Sequence, residues 1–286
     1  MKLLRDFLEL IKFEHTIFAL PFAYLGMLLA ASGWPTWYQF FWITVAMAAA
    51  RTVAMGFNRI ADRVIDSHNP RTANRPLVTG TISLRTAWVG TIVAGLLLAL
   101  SAWMLGPLPW RLLPFAYLFL LGYSFTKRFT WASHFILGMT DALAPLGAWA
   151  AIRGSLFTPA DLPAWILFAL VTFWIAGFDL IYACQDVRYD QQDKLQSIPA
   201  RFGVTLALRL STACHILTVL LLAWLGILMV LGWPYWIGLL LVIGMLAWEH
   251  SLVHPNDLSR VNVAFFNVNS YISLTLFVSI LISLYI

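Results

Sequence analysis

The chain turns from apolar to polar at Gly56-Phe57-Asn58-Arg59-Ile60-Ala61-Asp62-Arg63-Val64-Ile65-Asp66, directly after a long apolar segment. Three oxygen-bearing side chains in this stretch, Asn58, Asp62 and Asp66, are spaced four residues apart. On a helix this spacing puts them on one face, in a stripe about 12 Å long. We therefore expect a helix that carries a row of oxygen ligands out of an apolar environment.

A second acidic stretch lies far downstream, within residues 178–194. It contains Asp179, Asp186, Asp190 and Asp193, and Asp186 and Asp190 repeat the four-residue spacing. Acidic residues are rare elsewhere in the chain. Their concentration in two distant windows predicts a site built from both.

The composition is that of a membrane protein. Hydrophobic residues make up 61% of the chain and charged residues 11%, with a mean hydropathy of +0.80, whereas about 25% of residues are charged in soluble domains. The apolar runs are about 20 residues long, enough to cross a bilayer. Cys184 and Cys214 are too few for a disulfide framework and are expected to be reduced thiols. The net charge of +5 is spread over loops, which argues against nucleic-acid binding, and the N-terminus lacks a cleavable signal pattern.

Hydropathy predicts an all-α polytopic membrane protein with nine transmembrane helices around a central cavity that opens to the cytoplasmic side. Tight connections are predicted at three Gly- and Pro-containing turns, at residues 33–35, 106–109 and 232–234. The nine predicted spans are 15–33, 37–58, 85–105, 109–126, 132–152, 162–182, 207–231, 234–249 and 264–285.

The basic residues fall almost entirely on one set of connections. These are the N-terminus, the connection with Lys127 and Arg128, and the connections that include residues 59–84, 183–206 and 250–263. The positive-inside rule places them in the cytoplasm and the C-terminus outside. We therefore expect a bacterial-type inner membrane protein whose active site faces the cytoplasm.

The two acidic stretches also indicate a weak internal duplication. In each half an apolar span ends in spaced acids and is followed by a basic segment, and Asp62 and Asp186 are 124 residues apart. Membrane proteins often build a central site from two such halves. We expect one domain over 1–286, made of pseudo-repeated halves at roughly 1–130 and 131–286.

Rows of carboxylates suit Mg²⁺, which prefers oxygen ligands and commonly bridges carboxylates to substrate phosphates. Two acidic rows that face each other could hold two ions and neutralise a diphosphate. Basic side chains next to them could add charge-assisted hydrogen bonds to the anion. The alternative for either row alone is a solvated, salt-bridged loop.

Three main motifs follow one another along the chain. They are Asn58-x3-Asp62-x3-Asp66 followed by Asn74-Arg75-Pro76, Tyr123-Ser124-x2-Lys127-Arg128, and Asp179-x2-Tyr182-Ala183-x-Gln185-Asp186-x3-Asp190. In this order they resemble the motifs of the UbiA superfamily of intramembrane prenyltransferases. Shorter similarities to that superfamily occur at residues 12–22 and 197–203.

This resemblance implies Mg²⁺-dependent transfer of a polyprenyl group from a polyprenyl diphosphate to an aromatic acceptor such as 4-hydroxybenzoate, in ubiquinone or menaquinone biosynthesis. The predicted partners are these two substrates and the bilayer. The residues it implies as metal ligands are Asn58, Asp62, Asp66, Asp186 and Asp190, the four acids being the catalytic set. The predicted diphosphate contacts are Arg75, Tyr123 and Lys127, to which proximity in sequence adds Tyr182 and Lys194.

The sequence is also compatible with other functions. Within the superfamily the acceptor could instead be a futalosine-route menaquinone precursor, a naphthoate, haem or a lipid. A non-enzymatic alternative is a cation transporter, but its acids should lie near mid-bilayer on several helices. A CDP-alcohol phosphatidyltransferase would need its acids in one segment, which excludes it.

Some further polar residues have two interpretations. His15 could bind the acceptor or be an interfacial histidine, and Asp141 lies within a predicted span, where a lone acid is costly. Arg51 could bind an acceptor carboxylate or form a structural ion pair. A metal-like group, for which an interfacial loop is the preferred interpretation, consists of Glu249, His250, His254 and Asp257.

Overall fold

The structure is a computed structural model that describes the backbone of residues 2–12 and 16–286 and the side chains of residues 5–12 and 20–286. His15, a candidate acceptor contact, lies outside the described residues. The described residues form helices and turns, without a β-strand. The helices are α1 Lys2–Leu10, α2 Thr16–Ala31, α3 Trp37–Ala61, α4 Arg63–His68, α5 Leu84–Leu105, α6 Pro107–Thr126, α7 Ser133–Arg153, α8 Leu162–Ala183, α9 Val187–Gln192, α10 Ile198–Phe202, α11 Val204–Leu228, α12 Trp233–Ser251 and α13 Asn269–Ser283, with a π-helical segment at Val263–Val268 leading into α13.

The all-helical prediction is confirmed, and each of the nine predicted spans coincides with a helix in the described part of the chain. Among those residues, six helical segments are long and apolar enough to cross a bilayer. The chain is therefore an integral membrane protein. The six segments are Trp37–Ala61, Leu84–Leu105, Ser133–Arg153, Pro159–Gln192, Val204–Leu228 and Val263–Ser283.

The predicted tight turns separate consecutive helices where the sequence places them. Gly106 ends α5 with a φ of 118°, a conformation that favours glycine, and Pro107 begins α6 at once. Thr36 caps α3 through a capping box with Gln39, whose backbone N–H donates to the Thr36 hydroxyl at 3.2 Å. Local sequence therefore fixes the ends of these helices.

Helix α8 is the centre of the packing. It lies between α7 and α11, and most of its length is buried. The backbones of α7 and α8 approach closely at Gly138, where a Cβ atom would lie 2.2 Å from the backbone oxygen of Thr172. Gly26 of α2 approaches Pro145 of α7 equally closely. These contacts fix the end of α8, and with it the second acidic stretch, relative to the other helices.

Candidate active site

A cavity of about 730 Å³ lies between the helices and joins a polar end to a long apolar branch. The polar end is next to the connections that follow α3 and α8. The apolar branch follows α6 from Tyr123 to Pro109, about 21 Å at 1.5 Å per residue. The polar and charged residues that line the polar end and the adjoining cavity wall include Arg51, Arg59, Arg71, Asn74, Arg75, Tyr123, Asp141, Asp179 and Tyr182.

The first acidic row lies where α3 ends and α4 begins. Asn58 donates to Asp62 Oδ2 at 2.8 Å, and Arg128 donates to Asp62 Oδ1 at 3.0 Å. Burial raises the pKa of Asp62, and the hydrogen bond from Arg128 acts against this shift. Asp66 is buried and accepts from Arg75 Nη1 at 2.5 Å. The first acidic row therefore lies directly behind the part of the cavity wall that Arg75 forms.

The second acidic row is held from the first connection. Arg71 binds Asp186 with two nitrogens, at 3.0 Å to Oδ1 and 2.6 Å to Oδ2, and Asn69 adds a bond to Oδ1 at 2.8 Å. Asp190 is buried and accepts from the Ser197 hydroxyl at 2.5 Å. A bidentate arginine–carboxylate pair is among the stronger polar contacts, so it links residues 115 positions apart firmly.

Two cations show that the acidic rows lie close together. Burial alone would lower the pKa of Lys127, but the carboxylates of Asp190, Asp179, Asp186 and Asp62 raise it above its usual value. The charge of Lys127 therefore interacts with acids of both rows. The pKa of Arg71 is likewise raised against the effect of burial, mainly by its bond to Asp186, with a further contribution from Asp66.

The two predicted tyrosines line the cavity, whereas the predicted Lys194 does not. Tyr182 accepts a hydrogen bond from Arg71 Nη1 at 2.7 Å, and the guanidinium carbon lies 4.9 Å from the centre of its ring. Tyr123 donates to the carbonyl of Ala54 at 3.1 Å. Lys194 is exposed in a left-handed turn after α9, with a φ of 56°. Its role at the diphosphate stays a prediction.

The donor set suits magnesium in its chemistry. Four carboxylates and the Asn58 amide oxygen are hard oxygen ligands, and Mg²⁺ commonly uses one or two carboxylates together with waters and substrate phosphates. Within the described ranges, no three acidic, cysteine or histidine side chains already surround one metal position. Instead Arg71, Arg75 and Arg128 neutralise Asp186, Asp66 and Asp62. These carboxylates therefore suit an ion that arrives with its phosphate partner.

Arg51 and Asp141 lie in the cavity wall on facing helices, α3 and α7, and their charges act on each other. The negative charge of Asp179 also acts on the carboxylate of Asp141. The Nε atom of Arg51 is buried and lacks a hydrogen-bond partner among the residues that the structure describes. A buried unpaired donor is costly, and the residue that carries it belongs to the cavity wall.

Sequence reasoning did not single out His134, which is fully buried at the start of α7. Its Nδ1 atom lies 2.6 Å from Asp179 Oδ2, and its Nε2 atom accepts from the backbone N–H of Ile198 at 3.3 Å. Nothing in the pattern around residue 134 pairs it with an aspartate 45 positions away. Only the packing of α7 against α8 brings the two together.

A π-helical segment also shapes the cavity. Asn269 donates to the carbonyls of Ala264 and Phe265 at 3.2 and 3.0 Å and to Glu249 Oε1 at 3.2 Å. The segment stacks Phe265 on Tyr182, with ring centres 4.1 Å apart. Asn269 therefore supplies donors to carbonyls of the widened turn, as π-helical segments at functional sites often require.

The four residues of the metal-like group, Glu249, His250, His254 and Asp257, lie in two separate places. Glu249 is buried beside Asn269, and His250 contacts His215 at 2.9 Å between Nε2 and Nδ1. His254 and Asp257 instead pair through their backbones in an exposed turn. Glu249 and His250 are thus part of α12, whereas the prediction of a loop describes only His254 and Asp257.

Comparison with known proteins gives one family. The sequence model of the UbiA prenyltransferase family matches residues 19–271. Two similar proteins are named 4-hydroxybenzoate octaprenyltransferase. The one from Methylobacillus flagellatus is 31% identical over 261 residues, covering 91% of this chain and 86% of its own. The one from Chromohalobacter salexigens is 32% identical over 285 residues, covering 98% and 93%.

Solved structures give the same fold. A UbiA homologue from Aeropyrum pernix K1, without ligand, superposes with a TM-score of 0.86 at 33% identity, over 94% of this chain and 98% of that chain. A UbiA homologue from Archaeoglobus fulgidus, bound to DMAPP and Mg²⁺, superposes with a TM-score of 0.67 at 20% identity, over 95% and 99%. The second likeness is one of fold alone.

Proposed function

Because this chain belongs to the UbiA prenyltransferase family, we propose that it transfers a polyprenyl group from a polyprenyl diphosphate to an aromatic acid of the 4-hydroxybenzoate type, with Mg²⁺. The relatives named 4-hydroxybenzoate octaprenyltransferase support the acceptor class. The observation that carries the proposal is the cavity itself, which has arginines bonded to buried carboxylates at one end and an apolar branch leading away.

The polar end suits the diphosphate. Arg71 and Arg75 belong to the cavity wall and are bonded to Asp186 and Asp66, and the charge of Lys127 acts on acids of both rows. We propose that the acids Asp62, Asp66, Asp186 and Asp190, with Asn58, would hold magnesium, and that the cationic side chains and Tyr123 contact the diphosphate oxygens. When bound, magnesium offsets negative charge on the diphosphate leaving group.

The transfer of the prenyl group requires that charge be stabilised and that water be excluded from the site. The allylic carbon–oxygen bond breaks, and its electron pair leaves with the diphosphate, whose charge Arg71, Arg75 and Lys127 compensate. Aromatic faces beside the polar end, including Tyr182 and Phe265, stabilise positive charge on the allyl group. The apolar branch along α6 accommodates the tail and excludes water.

The acceptor fits beside Arg51. Its carboxylate would bind the guanidinium group of Arg51, a residue of the cavity wall, and its ring would face the allylic carbon. A ring carbon supplies the electron pair for the new bond, and the ring then releases a proton. Asp179 is a cavity-lining carboxylate near Asp141, and we propose that it accepts this proton.

The function is tested with purified protein, Mg²⁺, a polyprenyl diphosphate and a panel of acceptors that includes 4-hydroxybenzoate and a dihydroxynaphthoate. We expect one prenylated acid and one diphosphate per turnover with 4-hydroxybenzoate, and loss of both when EDTA removes the metal. Product with only the naphthoate would change the acceptor. Absence of prenylated product with every acceptor would reject the function.

Arg51→Gln should raise the KM for 4-hydroxybenzoate by about tenfold or more, because a charge-assisted bond to the carboxylate is lost. The KM for the prenyl diphosphate and the rate with the uncharged methyl ester should not change. Steady-state kinetics with both acceptors measure this. Arg111→Gln, on the exposed surface of α6, is the matched control, and an equal loss with acid and ester would exclude the carboxylate contact.

The arrangement in the membrane extends the proposal. We propose that all nine long helices cross the membrane, that the cavity opens to the cytoplasmic side of a bacterial-type inner membrane, and that the halves 1–130 and 131–286 form one domain. The excess of basic residues on the connections beside the acidic rows supports this orientation.

A further inference from the structure

We propose that His134 is a positioning residue for the transfer, which holds the Asp179 carboxylate in the direction of the acceptor. This inference rests on the proposed function. It concerns a histidine outside every motif of the sequence, whose side chain is fully buried behind the cavity wall. Asp179 itself lines the cavity, with 14% of its side chain exposed.

The hydrogen bonds of His134 fix its tautomer. The backbone N–H of Ile198 can only donate, so Nε2 of the ring must accept and carries no proton. The proton of the neutral ring therefore lies on Nδ1, which donates to Asp179 Oδ2 at 2.6 Å. One oxygen of the carboxylate is thus bound from behind, and the group keeps a single orientation.

The surroundings explain why Asp179 needs such a partner. Lys127 lies near enough for its charge to act on Asp179, and it also attracts Asp186 and Asp190. A carboxylate free to rotate would turn toward this ammonium group and away from the acceptor. The bond from His134 competes with that movement because it comes from a rigid, buried ring.

The position of His134 is itself well defined. It lies one turn before Gly138, where the backbone of α7 packs closely against that of α8 at Thr172. Its second contact, Ile198, begins α10 next to Ser197, which binds Asp190. His134 therefore has two separable contacts, one with the proposed proton acceptor and one with the start of a helix beside the second acidic row.

Two amide substitutions separate these contacts. In His134→Asn the side-chain amide nitrogen occupies the place of Nδ1 and can donate to Asp179, but the contact with Ile198 is lost. In His134→Gln the terminal group reaches the place of Nε2 and can accept from Ile198, but the donor to Asp179 is lost. Both variants are uncharged and polar.

We expect His134→Asn to keep at least about half of the wild-type kcat, and His134→Gln to lose about tenfold to a hundredfold, as for a lost hydrogen bond to a charged group. The KM for the prenyl diphosphate should be unchanged in both variants. Single-turnover and steady-state assays on the full-length protein in detergent measure these values, together with the thermal unfolding midpoint.

The opposite order, with His134→Gln active and His134→Asn inactive, would show that the ring serves only to anchor α10 and would overturn the proposal. Equal losses in both variants, or a His134→Asn protein that does not fold, would also overturn it, because asparagine must be able to replace the donor. A wild-type protein that prenylates no aromatic acceptor would instead reject the proposed function.

Discussion

Replacing Asp62 or Asp186 by asparagine is expected to lower turnover by at least about a hundredfold, the scale seen when a group that stabilises transition-state charge is removed. Each substitution removes the negative charge of a proposed metal-ligand carboxylate but keeps the size and shape of the side chain. The proposed magnesium–diphosphate contacts weaken in both variants. In Asp186→Asn, Arg71 also loses the bidentate partner that holds it at the cavity wall. Prenylated product per enzyme, measured across a magnesium titration, reports the loss.

The matched control is Asp257→Asn. Asp257 lies in the exposed turn after α12, far from the acidic rows in sequence. It should keep wild-type turnover and thermal stability. Because asparagine has nearly the same size and keeps one acceptor oxygen, we expect Asp62→Asn and Asp186→Asn to stay folded, although each loses one accepted hydrogen bond. Wild-type rates in either variant would remove that residue from the mechanism.

The second large effect concerns the fold. Gly138→Ala is expected to lower the thermal unfolding midpoint by several degrees, because the added Cβ would lie 2.2 Å from the backbone oxygen of Thr172. Neither backbone can yield without separating α7 from α8, and overpacking of this kind costs about 1–3 kcal/mol. The gain of about 0.5–1 kcal/mol from replacing a helical glycine by alanine is too small to offset it.

Gly147→Ala is the control on the same helix. A Cβ there meets no atom within 4 Å, so only the helix-propensity gain remains and the thermal midpoint should stay level or rise. Turnover should also fall in Gly138→Ala, since α7 and α8 carry His134 and Asp179 one and two turns from the contact. A Gly138→Ala protein as stable as Gly147→Ala would show that the helices are not held at this distance.

Local sequence was sufficient for the helices and their ends. Long apolar runs predict helices of about the observed length, and the turn at Gly106 and Pro107 falls where glycine and proline place it. The family was also readable, because its motifs consist of short stretches such as Asn58 to Asp66. These features depend on neighbours in sequence, which a linear reading sees.

Pairs between distant segments were not readable in this way. Arg71 follows the first acidic row in sequence, yet it binds Asp186 of the second. Arg51 and Asp141 looked like isolated charges in separate spans, and the structure places them in one wall. Lys194 lies close to the acids in sequence but points to an exposed turn.

The sequence by itself determined that the protein is helical, lies in a membrane and carries two acidic rows, because hydropathy and side-chain spacing act over one or two turns of chain. Only the tertiary structure decided which cation meets which carboxylate, that His134 supports Asp179, and that Asn269 holds a π-helical turn. Those contacts depend on how closely α7, α8 and their neighbours pack, and that distance is set by shape over the whole bundle.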